Sequence, residues 1–196
     1  MSYDHWRHYA RGWLFHFFGK HEAAYESYVA AFRIDPQDVQ SARHLAAIAA
    51  QRKNFQVAEH WFLEVLRIVP EDADSHYNLG FVREQMKALR PAIDSFKEAV
   101  RLKPSQDRAW YGMGLAHATL GEHAAAADAF REAARLQPLN GQAWYQLGMA
   151  YHHSGEWDKV EEALNNLLKC DPKAARQMVK DSGRDDLAHL LPEMPW

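Results

Sequence analysis

The sequence is poor in cysteine and has no excess of basic residues. Its 196 residues include one cysteine, Cys170, and the formal net charge is −3. A single thiol cannot form an internal disulfide, so we expect a reducing compartment and predict a cytoplasmic location. The charge balance lacks the basic patch that nucleic acid or an anionic membrane would attract, and neither is expected as a main partner.

Long apolar runs are also missing. The strongest candidate is the stretch from Trp13 to Phe18, which contains His16 and runs directly into Gly19 and Lys20. It is too short to cross a bilayer and is followed by no small-residue cleavage site. We therefore expect neither a signal peptide nor a membrane span.

Prolines are few, but five of them recur every 34 residues: Pro36, Pro70, Pro104, Pro138 and Pro172. Between the third and fourth of these, the segment from Asp107 to Pro138 predicts one amphipathic helix, a break at Gly121 and a second helix. Strict recurrence of such a unit is typical of a helical repeat array.

Two further sets of residues keep this period. Large apolar residues recur at Tyr28, Phe62, Phe96, Phe130 and Leu164, and small residues recur at Gly12, Ala46, Gly80, Gly114 and Gly148 and at Ala24, Ala58, Ala92, Ala126 and Val160. Small residues let neighbouring helices approach closely, and the large side chains fill the remaining space. These sets predict the core.

Trp144, Leu147, Gly148 and Tyr151, ahead of Pro172, match the tetratricopeptide repeat pattern nearly in full. The sequence resembles that family over roughly residues 5–172. The resemblance implies an all-α fold, a right-handed α-solenoid of about five helix-turn-helix repeats within a single domain, 1–196. The predicted repeats are 5–38, 39–72, 73–106, 107–140 and 141–174, followed by a C-terminal cap at 175–196.

The turn inside each repeat has its own pattern. Gly19, Gly121 and Gly155 occupy a position where the second and third repeats have Lys53 and Lys87. Glycine adopts the left-handed backbone conformation at low cost at a helix end, and lysine adopts it at a small cost. We predict that conformation at all five positions.

The last turn of each second helix carries two more series. Arg33, Arg67, Arg101, Arg135 and Lys169 are preceded by Glu64, Glu98 and Glu132 in the three central repeats, which predicts a solvated, self-paired face and not a phosphate site. Cys170 continues the series Ile34, Ile68, Leu102 and Leu136. We therefore predict a small buried core residue and not a reactive thiol.

Catalysis has little support among these residues. Adjacent helical residues such as His152 and His153 point about 100° apart and cannot readily chelate one ion. His5 and His8 share a helix face but have no third ligand nearby in the sequence. No nucleophile stands at a convincing spacing from a base. We predict no enzyme activity, no cofactor and no metal.

The family resemblance implies that the first helices of all repeats line a concave groove for partner segments. The predicted lining is Tyr9, Trp13, Arg43, Tyr77, Asn78, Phe81, Arg108, Tyr111, Tyr145 and Met149. Tyrosine and arginine are enriched at binding hot spots. Four gaps of about 10 Å between helices would hold a peptide of about twelve extended residues.

Some members of the family bind a partner's terminal carboxylate with a clamp of lysine, asparagine and arginine side chains. Arg43, Asn78 and Arg108 match three places of that clamp, while Ala47 and Gly112 occupy the other two. The match is partial. We expect the three polar side chains to converge on a carboxylate or an acidic side chain of a partner.

The first helix is unusually aromatic. Trp6, Trp13, Phe17 and Phe18 lie where a terminal repeat ordinarily shows a polar face. One interpretation is a contact with another copy of the chain or with another protein. The alternative is that the concave surface absorbs these rings.

Beyond Pro172, residues 173–181 predict one more helix that stops at Ser182 and Gly183, and Asp185 or Asp186 starts a final short helix. Both are expected to cap the last repeat. Whether Trp196 docks or stays free is left open. The predicted function is a non-catalytic interaction module, such as an adaptor, assembly factor or chaperone-like holder, with a self-associating scaffold as the alternative.

Overall fold

The computed structural model describes residues 2–191, and the described chain is built from helices that pack in consecutive pairs. Two compact units, Met1–Leu102 and Lys103–Trp196, divide the chain. The first unit contains α1 (Tyr3–Phe17), α2 (His21–Ile34), α3 (Val39–Gln51), α4 (Phe55–Ile68), α5 (Ala73–Gln85) and α6 (Leu89–Leu102).

The second unit contains α7 (Asp107–Thr119), α8 (His123–Leu136), α9 (Gly141–Ser154), α10 (Trp157–Cys170), α11 (Pro172–Ser182) and a final 3-10 helix (Asp185–Leu190). No strand occurs among the described residues 2–191. The predicted all-α fold of paired helices is confirmed.

Polar side chains cap the N-termini of helices that follow a repeat boundary. The Asp38 carboxylate accepts hydrogen bonds from the backbone N–H groups of Gln40, at 3.0 Å, and Ser41, at 3.2 Å. Asn140 accepts one from the N–H of Ala143 at 3.3 Å. These bonds satisfy N–H groups that have no partner within the helix, so they fix where α3 and α9 begin.

The turns inside the repeats have the predicted backbone. Gly19, Gly121 and Gly155 have φ values of 69°, 75° and 79°, and Lys53 and Lys87 have φ values of 58° and 63°. The left-handed conformation at all five positions is confirmed. The two lysines carry a Cβ into this region, where the other repeats use glycine.

The cores of the two units are assembled from the small and large residues that recur in the sequence. A Cβ atom added to Gly80 would lie 2.7 Å from the ring of Phe96, and one added to Gly114 would lie 2.7 Å from the ring of Phe130. Both rings are buried, as is Tyr28 beside Gly12. The first, third and fourth helix pairs are therefore each closed by an aromatic ring that lies against a backbone without a side chain.

The chain continues beyond the fifth pair with α11, which packs on both α9 and α10. Met178 of α11 is fully buried and lies against Gly148. The 3-10 helix packs on α11 and buries Leu187. The predicted cap is present over these residues, and Trp196 lies outside the described ones.

Of the two series at the ends of the second helices, the basic one is predicted correctly and the one that ends at Cys170 is not. The pairs Glu64–Arg67, Glu98–Arg101 and Glu132–Arg135 are closed at 2.8–2.9 Å, which confirms a self-paired face. The prediction of a buried Cys170 is wrong, because its side chain is only partly buried and Ile34 at the same position is 44% exposed. Both are the last residue of a second helix, where the chain leaves the packed face.

None of the helices between residues 2 and 191 combines the length and the apolar character that a membrane crossing requires.

Candidate binding surfaces

One candidate site of the first unit is a pocket of about 540 Å³ between α3 and α5. It is lined by Arg43, His44, Ala47, Ala50, Phe62, Asp72, Asp74, Ser75, Asn78, Phe81 and Val82. Three predicted groove residues, Arg43, Asn78 and Phe81, thus share one cavity. The Phe81 side chain is 44% exposed although it is large and apolar.

Arg43 already has a partner inside this pocket. Its Nη2 atom donates to Oδ2 of Asp72 at 2.8 Å, and the hydroxyl of Ser75 donates to the same oxygen at 2.7 Å. Partial burial acts to raise the pKa of Asp72, but the hydrogen bonds from Ser75 and Arg43 outweigh it and hold the pKa below its ordinary value. The charge of Arg43 is therefore partly offset, and a partner carboxylate would meet Asp72 beside it.

The predicted clamp is divided between the two units. Asn78 lines the same pocket as Arg43, while Arg108 lies exposed at the start of α7 in the second unit. The convergence of all three side chains on one carboxylate stays a prediction.

Three of the predicted groove tyrosines are half-buried and pack on the core ring of their own repeat. The ring centroids are 5.7 Å apart for Tyr9 and Tyr28, 6.1 Å for Tyr77 and Phe96, and 5.5 Å for Tyr111 and Phe130. One side of each ring thus supports the fold, and the three side chains remain partly exposed.

Tyr145 and Met149 line a second pocket, of about 310 Å³, in the second unit. The Tyr145 hydroxyl donates to Oδ2 of Asp181 at 2.5 Å, so it ties α9 to α11. Burial, this hydrogen bond and the Asp181 charge together raise the pKa of Tyr145 to about 12. In this pocket Tyr145 exposes its ring, because its hydroxyl is hydrogen-bonded to Asp181.

The second pocket also contains two histidines that the sequence did not single out together. The rings of His123 and His153 lie 4.9 Å apart. Burial lowers the pKa of His153, and the neighbouring His123 and His152 lower it further. His153 therefore lines this pocket as a neutral imidazole near pH 7.

A periodic signal for the pocket polar groups was present in the sequence. The position after the tyrosine series is His44, Asn78 and Gln146 in the second, third and fifth repeats, and all three line pockets. Of these three residues, only Asn78 was predicted from the sequence to line the groove.

The aromatic side chains of α1 remain at the surface of the first unit. Trp6, Trp13, Phe17 and Phe18 are 55–71% exposed. Trp13 and Phe17 stack on each other at 5.8 Å with an angle of 16° between their planes. The alternative in which a concave surface absorbs these rings is not seen within this unit.

Other histidines serve the structure. His5 is buried on α1, and its Nε2 atom lies 2.8 Å from Oδ2 of Asp38, which links α1 to the start of α3. His117 Nδ1 lies 2.7 Å from Oε2 of Glu122. Between residues 2 and 191 no group of three or more His, Cys, Asp or Glu side chains is placed to hold a metal ion.

His44 makes the first unit sensitive to acid. Its ring stacks on Tyr28 at 4.6 Å and lies 5.8 Å from the ring of His16. Burial lowers the pKa of His44 below 6.5, the charge of His16 lowers it further, and Asp38 opposes both. Because the unfolded chain then binds more protons than the folded chain, stability is full above pH 6.5 and falls as the pH drops below it.

We therefore expect the melting temperature to fall between about pH 7.5 and about pH 5, and to fall less in His44→Phe, which keeps the stacking on Tyr28. Tyr25→Phe removes a hydroxyl that contacts Trp61 and leaves every imidazole in place, so it should keep the wild-type decline. Calorimetry at both pH values measures this, and equal declines in wild type and His44→Phe would contradict it.

Comparison with known proteins agrees with this geometry. Tetratricopeptide repeat models match residues 9–81 and 88–140, and a second such model matches residues 117–181. No curated protein sequence shows a significant match to the chain.

Solved structures share its fold. A crystal structure of MamA is 19% identical, with all of both chains covered and a TM-score of 0.80. YrrB is 21% identical, with 88% of this chain and 90% of that chain covered and a TM-score of 0.77. MamA from Desulfovibrio magneticus RS-1 is 19% identical over 87% of this chain and 97% of that chain, with a TM-score of 0.77. Since the family models cover more than half of its length and its helices pack in the repeating pairs they describe, the chain belongs to the tetratricopeptide repeat family.

Proposed function

We propose that the chain is a non-catalytic interaction module, of the adaptor, assembly-factor or holder type, that binds a peptide or helix of a partner protein along its first helices. Membership of the tetratricopeptide repeat family implies a protein-protein interaction module. The observation that supports the proposed site is the 540 Å³ pocket between α3 and α5, where predicted groove residues lie together. We take the whole chain as one such domain, acting in the cytoplasm.

The lining of this pocket suits an amphipathic partner segment. Phe81 and Ala47 offer apolar surface, and Phe81 is a large exposed anchor of the kind found at hot spots. Asn78 supplies both hydrogen-bond donors and an acceptor. Arg43 uses one of its five N–H groups on Asp72 and is the proposed contact for a partner carboxylate.

A solved structure with the same fold supports a peptide as the ligand. YrrB is described as a tetratricopeptide repeat protein with an unusual peptide-binding site. In the present chain the proposed anchor residues are Asn78 and Phe81 in the first unit, with Tyr145 and Met149 lining a pocket of the second.

The test uses a random dodecapeptide library, from which one selected peptide is labelled and titrated against purified variants. We expect Phe81→Ala and Asn78→Ala to weaken binding about tenfold or more, which corresponds to about 1.4 kcal/mol. Leu63→Ala is the matched control. Leu63 has the same 44% exposure as Phe81, but it lies on α4, which is the second helix of its repeat. It should change affinity less than about twofold.

Equal affinity of the peptide for the wild type and the three variants would contradict a role of this pocket in peptide binding. A separate arm replaces each acidic residue of the peptide by its amide. Unchanged binding of those peptides would contradict the proposed contact between Arg43 and a partner carboxylate, and it would leave the groove proposal intact.

A second candidate function, self-association as a scaffold, is favoured by one observation. The rings of Trp6, Trp13 and Phe17 on α1, and of Phe18 directly after it, are more than half exposed, and monomeric surfaces rarely leave such a patch open. Light scattering over a range of protein concentrations tests it, and a single monomeric mass throughout would contradict it.

A further inference from the structure

The exposed residues of α1 follow the spacing of a helix-pairing seam. Tyr3, Trp6, Ala10, Trp13 and Phe17 are separated by three, four, three and four residues, which is the a and d pattern of a heptad. In α1 the four rings of this set are exposed, and Ala10 is half-buried. The opposite side carries the buried His5 and Gly12, so the helix uses one face for the repeat and presents the seam outward.

We propose that α1 pairs in antiparallel orientation with α1 of a second copy of the chain, an inference that rests on the self-association candidate. The seams of two copies are complementary when the two-fold axis between them passes between Arg11 and Gly12. Trp13 then packs over the small Ala10 of the partner, and Trp6 packs on Phe17 of the partner, each contact occurring twice by symmetry. Trp13 thus meets a small side chain at the centre of the seam, and aromatic rings meet each other at its two ends.

Packing also favours the antiparallel orientation. A parallel pair would place Ala10 against the partner's Ala10 and leave a gap between the large rings on either side of it, which close packing disfavours. In the antiparallel pair each Ala10 lies against Trp13 of the partner.

The available area indicates a reversible dimer. The four rings of the seam, Tyr3, Trp6, Trp13 and Phe17, are 55–73% exposed. Aromatic side chains of this kind bury 150–250 Å² each, so together they offer on the order of 500 Å² per copy. Stable interfaces use about 800 Å² per partner, and we expect dissociation at micromolar concentrations.

A size exchange tests the register. Ala10→Trp would place a large ring against Trp13 of the partner, and Trp13→Ala would leave a cavity, so each variant alone should be monomeric by light scattering at about 100 µM, where the wild type is dimeric. An equimolar mixture should form a heterodimer, because the tryptophan introduced by Ala10→Trp in one chain meets the small side chain introduced by Trp13→Ala in the other. Absence of heterodimer from two folded variants would overturn the register.

A disulfide experiment covers the case in which Ala10→Trp does not fold. In a Cys170→Ser background, Tyr3→Cys and Lys20→Cys are carried on separately tagged chains. Mild oxidation of the mixture should join position 3 to position 20 between chains, whereas a parallel pair would join like positions only. Arg33→Cys, exposed at the end of α2, is the collision control and should not crosslink.

The outcomes separate this inference from the functions proposed above. A monomeric wild type at every concentration would overturn the pairing and the scaffold together, while peptide binding to the pocket between α3 and α5 is measured independently. A dimer that crosslinks only like positions would overturn the antiparallel geometry and leave self-association standing.

Discussion

Phe130→Ala is expected to lower the free energy of unfolding by about 3–5 kcal/mol. The ring is fully buried in the second unit, packs 5.5 Å from the ring of Tyr111, and lies over the backbone of Gly114. Its removal leaves a cavity whose wall includes a residue without a side chain, so neighbouring groups can fill it only by moving the backbone. Urea denaturation followed by circular dichroism measures the loss.

Leu139→Ala provides the comparison for this substitution. Leu139 is 84% exposed in the turn between α8 and α9, and its loss should change stability by less than about 0.5 kcal/mol. A loss below about 1.5 kcal/mol for Phe130→Ala would contradict the assignment of this ring as the closing element of its helix pair.

Gly114→Ala is expected to destabilise the chain by about 1–3 kcal/mol, although alanine is the better helix former. The added Cβ would lie 2.7 Å from two atoms of the Phe130 ring, and that ring is fully buried. Gly80→Ala should behave alike in the first unit, where Phe96 lies at the same distance.

A double-mutant cycle isolates the cause. If the clash with the ring is responsible, Gly114→Ala should cost less in a Phe130→Leu background than in the wild type, with a coupling of about 0.5 kcal/mol or more. Additive effects would show that the glycine is needed for another reason. The second repeat indicates that the clash can be relieved, because it has the buried Ala46 opposite Phe62, and that ring remains slightly exposed.

The features that repeat every 34 residues were predictable from sequence. Each repeat reports the same packing position again, so the rings of Phe96 and Phe130 and the glycines beside them could be assigned to the core. The left-handed turns, including those at Lys53 and Lys87, followed from the same alignment of repeats. Periodicity therefore identified the fold and the positions of its core.

Contacts that occur once were not predictable in this way. Arg43 with Asp72 and Tyr145 with Asp181 each join a residue of one helix pair to a residue beyond that pair. They decide how much charge or hydroxyl a candidate site can offer, yet no period signals them. The error at Cys170 has a related cause, since periodicity gives the position in a helix but not how far packing extends at its end.

The turns at Lys53 and Lys87 bear on the pocket between α3 and α5. These two lysines join α3 to α4 and α5 to α6, so both walls of the pocket belong to hairpins closed without glycine. A residue with a Cβ has fewer backbone states in the unfolded chain than glycine, which offsets part of the strain of its left-handed conformation. We expect hairpins held this way to be stiffer hinges, and a preorganised pocket of the proposed kind would spend less binding free energy on ordering itself around a ligand.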